Sequence, residues 1–211
     1  MDTWAMIAAE RRDLADLGEK LNEEQFDAQS LCEGWKVRHV FAHVADVSTE
    51  KLGEFVVGFA KAGFNVDRAL ERAAVHSGDT KDQPTLVKEL RENAESRKKP
   101  PGVSDKSLLA DIVIHTQDIR RAIDVAREVP HDRLLSVLET TAHPGALTSI
   151  VLPTKKRLAD LRLIASDIEW THGVGAEVRG TGEALLMAMS GRPAALDDLQ
   201  GDGVATLRSR L

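Results

Sequence analysis

The chain has 211 residues, 42% of them hydrophobic and 29% charged, with a formal net charge of −6. That is enough for one large domain, or a main domain with an appendage, around a real core. The negative balance argues against nucleic acid and anionic membranes as partners, because phosphate binding needs concentrated positive charge, and the single cysteine, Cys32, excludes an internal disulfide or a zinc-finger cluster.

The start, Met1-Asp2-Thr3-Trp4, leads straight into Glu10-Arg11-Arg12-Asp13. That is not the basic, then apolar, pattern of a secretory leader. No apolar run approaches a membrane span, so the expected location is the cytoplasm. Thr3 to Lys20 reads as an amphipathic helix with Trp4, Ile7, Ala8, Leu14 and Leu17 on one side. Asn22 to Gly34 is a polar connector. Ser30-Leu31-Cys32-Glu33 fits a capping box, but Gly34 sits badly inside a helix. The second helix is therefore expected to start near Trp35 and run to about Gly58, with Val37, Val40, Phe41, Val44 and Val47 at helical spacing. Further helices are predicted over Val66 to Ala74 and Thr85 to Ser96. Arg97-Lys98-Lys99-Pro100-Pro101-Gly102 breaks the chain, and Ser104 or Asp105 caps a helix reaching about Arg127. The first 128 residues thus form a four-helix bundle.

The remainder, 129–211, reads as a small α/β appendage. A helix covers His131 to Ala142 and stops at Pro144-Gly145. Leu161 to Trp170 reads as a strand with a short partner at Glu177 to Arg179. A helix follows over Thr181 to Ser190, stopped by Gly191 and Pro193, and a last helical stretch starts at Ala195. His172 is expected in a turn.

The chemistry concentrates on the helix around His115. At 100° per residue, Asp111, His115, Asp118 and Ala122 share about a 60° arc, flanked by Ile112, Ile119 and Ile123 on one side and Ile114 on the other. A carboxylate there needs a partner or a cation. The D-x-x-x-H spacing points two ligands the same way, and His43, at the edge of the arc formed by Val40, Val44 and Val47, is the leading third. Two histidines and one carboxylate leave coordination positions open, as catalytic metal sites do. Spacing alone favours the plainer reading, in which Asp111 and His115 form an ordinary helical ion pair.

A more specific signal lies in two linked elements. Leu31-Cys32-Glu33-Gly34-Trp35-Lys36-Val37 through His43-Val44 resembles the C-x-G-W-x-V-x-x-x-x-x-H element of the mycothiol-dependent maleylpyruvate isomerase family, one of the DinB-like helical bundles. Asp111 through Arg121 resembles that family's acid-x-x-x-H-x-x-D-x-R-R helix. Trp170-Thr171-His172-Gly173, Val178-Arg179-Gly180 and Leu185 to Pro193 resemble its small C-terminal tail. Glu33 stands where proline is usual, and Asp111 where glutamate is frequent.

The resemblance implies a mainly α protein: a DinB-like four-helix bundle with an α/β appendage. It implies a divalent metal ion held by His43, Asp111 and His115, with zinc expected first and nickel second, the shorter Asp111 arm leaving the metal's identity open. It also implies mycothiol as the thiol cofactor, with thiolate adding to a small electrophilic substrate in an isomerase or transferase reaction. Asp118 is the expected proton-transfer or thiol-orienting group, with second-sphere support as its alternative. Arg121 and Arg179 are expected to bind the thiol cofactor. Cys32 is read as structural, His39 as a solvated helix residue, and at least one of Arg120 and Arg121 as a surface residue. A metal-dependent hydrolase and a non-catalytic metal- or ligand-binding bundle are the competing functions; the assembly is a monomer or a homodimer.

Overall fold

The computed structural model describes residues 2–49, 57, 59–60, 62–63, 65–145, 149 and 153–211. They form two compact units. The first comprises Met1–Asp105 and His115–Ala126; the second comprises Lys106–Ile114 and Arg127–Leu211.

The first unit is helical. Its helices are α1 (Thr3–Gly18), α2 (Glu23–Asp27), α3 (Val37–Thr49), α4 (Val66–Thr80), α5 (Gln83–Glu92) and the second half of α6 (Asp105–Ala122). Helix α1 packs on α5, and α3 packs on both α4 and α5. Ile7 and Leu14 of α1, Phe41 of α3, and Leu86 and Leu90 of α5 are fully buried, so the apolar stripes read from the sequence are the packed faces. Arg11 reaches from α1 to the end of α5, where its Nη1 donates to the carbonyls of Ala94 (3.2 Å) and Ser96 (2.7 Å). Burial lowers this guanidinium to about 10.

Three local expectations are corrected here. The connector contains α2, started by a reciprocal cap: Asn22 Oδ1 accepts from Gln25 N–H (2.8 Å) and Gln25 Oε1 from Asn22 N–H (3.2 Å). Helix α3 begins at Val37, two residues after Trp35; most of its expected continuation toward Gly58 lies outside the described residues. Helix α4 continues past Ala74 to Thr80, through a polar run that still packs, with Ser77 buried and its Oγ donating to Asp46 Oδ1 at 3.2 Å.

In the second unit, α7 (His131–Ala142) and α8 (Thr154–Arg157) precede a three-stranded sheet of order β2-β1-β3. The strands are β1 (Leu161–Ala165), β2 (Thr171–Gly173) and β3 (Ala176–Gly180). Strand β1 pairs antiparallel with β2, Leu163 opposite His172, and parallel with β3, Leu163 opposite Val178. The apolar helix α9 (Gly182–Met189) packs on α7 and on the sheet, with Leu185, Leu186 and Met187 fully buried. A 3-10 turn (Pro193–Asp198) and α10 (Val204–Arg208) close the chain. The expected strand to Trp170 therefore stops at Ala165. His172 lies in β2 rather than in a turn, and the last helical stretch is a 3-10 turn followed by a separate helix. Among the described residues no helix is long and apolar enough to cross a membrane.

Candidate metal centre

Helix α6 is one unbroken helix of 18 residues. It carries Asp111 and His115 one turn apart, and Asp118 a turn further on. One ligand atom each from His43, Asp111 and His115 lies within 4.8 Å of the others. The structure thus brings together the three residues the sequence singled out. His43 comes from the buried face of α3; its ring meets that of His115 edge-on, centroids 4.9 Å apart at 76°. Asp111 and His115 are half-buried. A half-buried set of two imidazoles and one carboxylate, with ligand atoms this close, suits a small divalent cation with an open coordination position.

Asp118 is fully buried. Its Oδ2 stands 3.0 Å from His115 Nδ1. An ionised carboxylate only accepts, so in this pair Nδ1–H is the donor. Where a histidine ligates a metal, a carboxylate placed in this way is the partner that commonly fixes its tautomer.

Sequence reasoning missed one member. Cys32 Sγ donates to the same Asp118 Oδ2 at 3.0 Å and lies 3.6 Å from His115 Nδ1. Cys32, His115 and Asp118 form a second group of converging ligand atoms. The loop around Cys32 is tightly specified. Trp35 N–H closes a turn onto the Cys32 carbonyl (3.0 Å), and Gly34 takes φ +75 at the third position, the left-handed conformation that glycine adopts without strain. Gln29 Nε2 donates to the same carbonyl (2.7 Å), and Ser30 Oγ accepts from Cys32 N–H (3.1 Å). Leu31 N–H donates to the Asp118 carbonyl (3.2 Å), which ties the loop to α6. The turn also lays the Trp35 ring over His115, centroids 5.9 Å apart at 28°.

The remaining candidates divide. His39 is buried, not solvated: its Nδ1 accepts from Lys36 N–H (3.1 Å) and its Nε2 faces Asp79 Oδ1 (3.0 Å). The His39 hydrogen bond holds the Asp79 carboxyl below its ordinary value. Arg120 is buried and paired with Asp13 at 3.0 Å, and Arg121 is half-buried. Arg179 lies on β3 with an exposed side chain whose Nη2 donates to Glu177 Oε2 (2.7 Å).

The fold, mainly helical with a small C-terminal sheet, is similar to that of a solved isomerase structure. The model of the mycothiol maleylpyruvate isomerase N-terminal domain matches residues 7–105, which bears out the resemblance read from the sequence. Cys32, Trp35 and His43 fall within the matched stretch; Asp111, His115 and Asp118 follow it. A mutant of the mycothiol-dependent maleylpyruvate isomerase is similar in structure, with a TM-score of 0.50 at 17% identity over 96% of each chain. Another structure of that isomerase gives a TM-score of 0.48 at 16% identity, again over 96% of each chain. No curated protein matches the sequence.

Proposed function

We propose that the protein is a divalent-metal-binding, mycothiol-dependent isomerase or transferase acting on small electrophilic substrates. The observation that carries this reading is the convergence of His43, Asp111 and His115 within 4.8 Å. The family match over residues 7–105 supports mycothiol as the thiol. Zinc is the proposed cation and nickel the second. When bound, a divalent cation lowers the pKa of a coordinated thiol, supplying a nucleophile near neutral pH.

The chain's own residues hold and orient. Asp118 accepts the His115 Nδ1–H and so presents Nε2 as the ligating nitrogen. Because Asp118 is fully buried, its part is played through His115, and the thiol-orienting role is an indirect one. The Trp35 ring covers His115 and flanks His43, centroids 5.3 Å apart, keeping bulk water from that side. Arg121 and Arg179 are proposed to bind anionic groups of the thiol or substrate, for which guanidinium is well suited. A cytoplasmic location and a monomer or homodimer complete the reading.

The test is turnover of a panel of electrophiles, maleylpyruvate included, by zinc-loaded protein with and without mycothiol and with and without a chelator. Turnover that needs both the thiol and the cation is expected. Chelator-sensitive turnover without any thiol would contradict the reading and point to activated water.

A further inference from the structure

We propose that Cys32 is a positioning residue for the metal centre: its thiol holds the Asp118 carboxylate in the orientation that keeps His115 in its ligating tautomer. The inference rests on the proposed reading of His43, Asp111 and His115 as metal ligands.

The geometry is that of a relay. The thiol donates to Asp118 Oδ2 at 3.0 Å, and the same oxygen accepts from His115 Nδ1 at 3.0 Å. Asp118 is fully buried, so water does not set the rotation of its carboxylate. The sulfur has little freedom of its own, because the backbone on both sides of it is pinned: the N–H donates to Ser30 Oγ, and the carbonyl accepts from Trp35 N–H and Gln29 Nε2. The same turn puts the Trp35 ring on the face of His115. One loop thus fixes the imidazole twice, in its plane through Cys32 and Asp118 and on its face through Trp35. A thiol suits the task because it is a weak donor. It orients the carboxylate while leaving nearly all of the negative charge for the His115 N–H. Without it, the carboxylate loses one of the donors that set its rotation toward His115, and its hold on the imidazole's tautomer weakens.

Cys32 is the chain's only cysteine, so it can be altered by substitution or by reversible methylthiolation of the folded protein. Two quantities are read on wild type, Cys32→Ala, Cys32→Ser and the methylthiolated wild type, all as the full chain. One is the His115 tautomer in the metal-free protein, from ring nitrogen chemical shifts. The other is zinc affinity, from competition with a chromogenic chelator. Wild type is expected to hold the Nδ1–H tautomer. Cys32→Ala and the methylthiolated protein should show mixed tautomers and bind zinc about tenfold more weakly. Cys32→Ser should stay within about threefold of wild type, and dithiothreitol should restore the modified protein. An unchanged tautomer and unchanged zinc affinity in both altered forms would overturn the inference. A His43→Ala variant is run alongside: if it binds zinc as well as wild type, the ligand reading falls, while the tautomer readout still decides whether Cys32 holds Asp118.

Discussion

A fully buried carboxylate depends on its donors, and the Oδ2 of Asp118 faces two of them, a histidine nitrogen and a thiol. Asp118→Asn keeps the shape but weakens the acceptor for His115 Nδ1–H. Zinc affinity measured by chelator competition should fall by about 10- to 100-fold while the far-ultraviolet circular dichroism stays unchanged; an affinity equal to wild type would remove Asp118 from the account. A second residue-scale consequence concerns Asp79, held below its ordinary value by its hydrogen bond to His39. A depressed carboxyl stabilises the fold above its unfolded value, about 3.9, and that contribution is lost as pH falls through the folded value. Acid unfolding followed by circular dichroism should therefore be less steep below about pH 4 in Asp79→Asn than in wild type. The convergence of His43, Asp111 and His115 was legible chiefly through the two linked elements that resemble the family, since helix spacing alone favoured a plain ion pair. Cys32 was not, because its contacts to His115 and Asp118 span 83 and 86 residues. His39 was misread because its partner, Asp79, lies 40 residues away.

Elements meet where small residues let them. A Cβ on Gly78 of α4 would stand 2.7 Å from His39 Cδ2 and 3.0 Å from the Arg38 carbonyl of α3. Gly78→Ala must push these helices apart, at a cost of about 1–3 kcal/mol. That should lower the calorimetric Tm by several degrees, about 2–4 °C per kcal/mol, and an unchanged or raised Tm would show that the pair yields without strain. In the second unit, burial and then the charge of His143 lower the pKa of His172. For a basic group this means that the unfolded chain binds the proton more readily, so stability falls as pH drops below about 6.5, and the loss due to His172 is complete below the folded value. The Tm should decline less between pH 7 and pH 5 in His172→Gln than in wild type. At this scale the sequence was most informative where capping and periodicity agreed: α7 runs His131–Ala142 as expected. It was least informative where a polar run conceals packing, as at the end of α4, or where a strand of three residues is too short to show alternation, as with β2.

For the whole molecule, the helical fold with a small C-terminal sheet was readable from the order of periodic segments. No change in composition marks the middle of α6, where Lys106–Ile114 leaves the first unit. If the converging ligands hold a cation, binding and folding are linked, and free zinc at 100 times its Kd should stabilise the native state by about 2.7 kcal/mol. Scanning calorimetry with and without zinc should show that rise in Tm for wild type and not for His43→Ala. The most direct test of the account is the metal content of the purified protein by elemental mass spectrometry, beside the His43→Ala, His115→Ala double variant. The account predicts about one equivalent of zinc or another divalent ion in wild type, lost from a double variant that remains folded. A wild-type protein that is metal-free and also refuses added zinc would contradict it, leaving Asp111 and His115 as an ordinary helical pair.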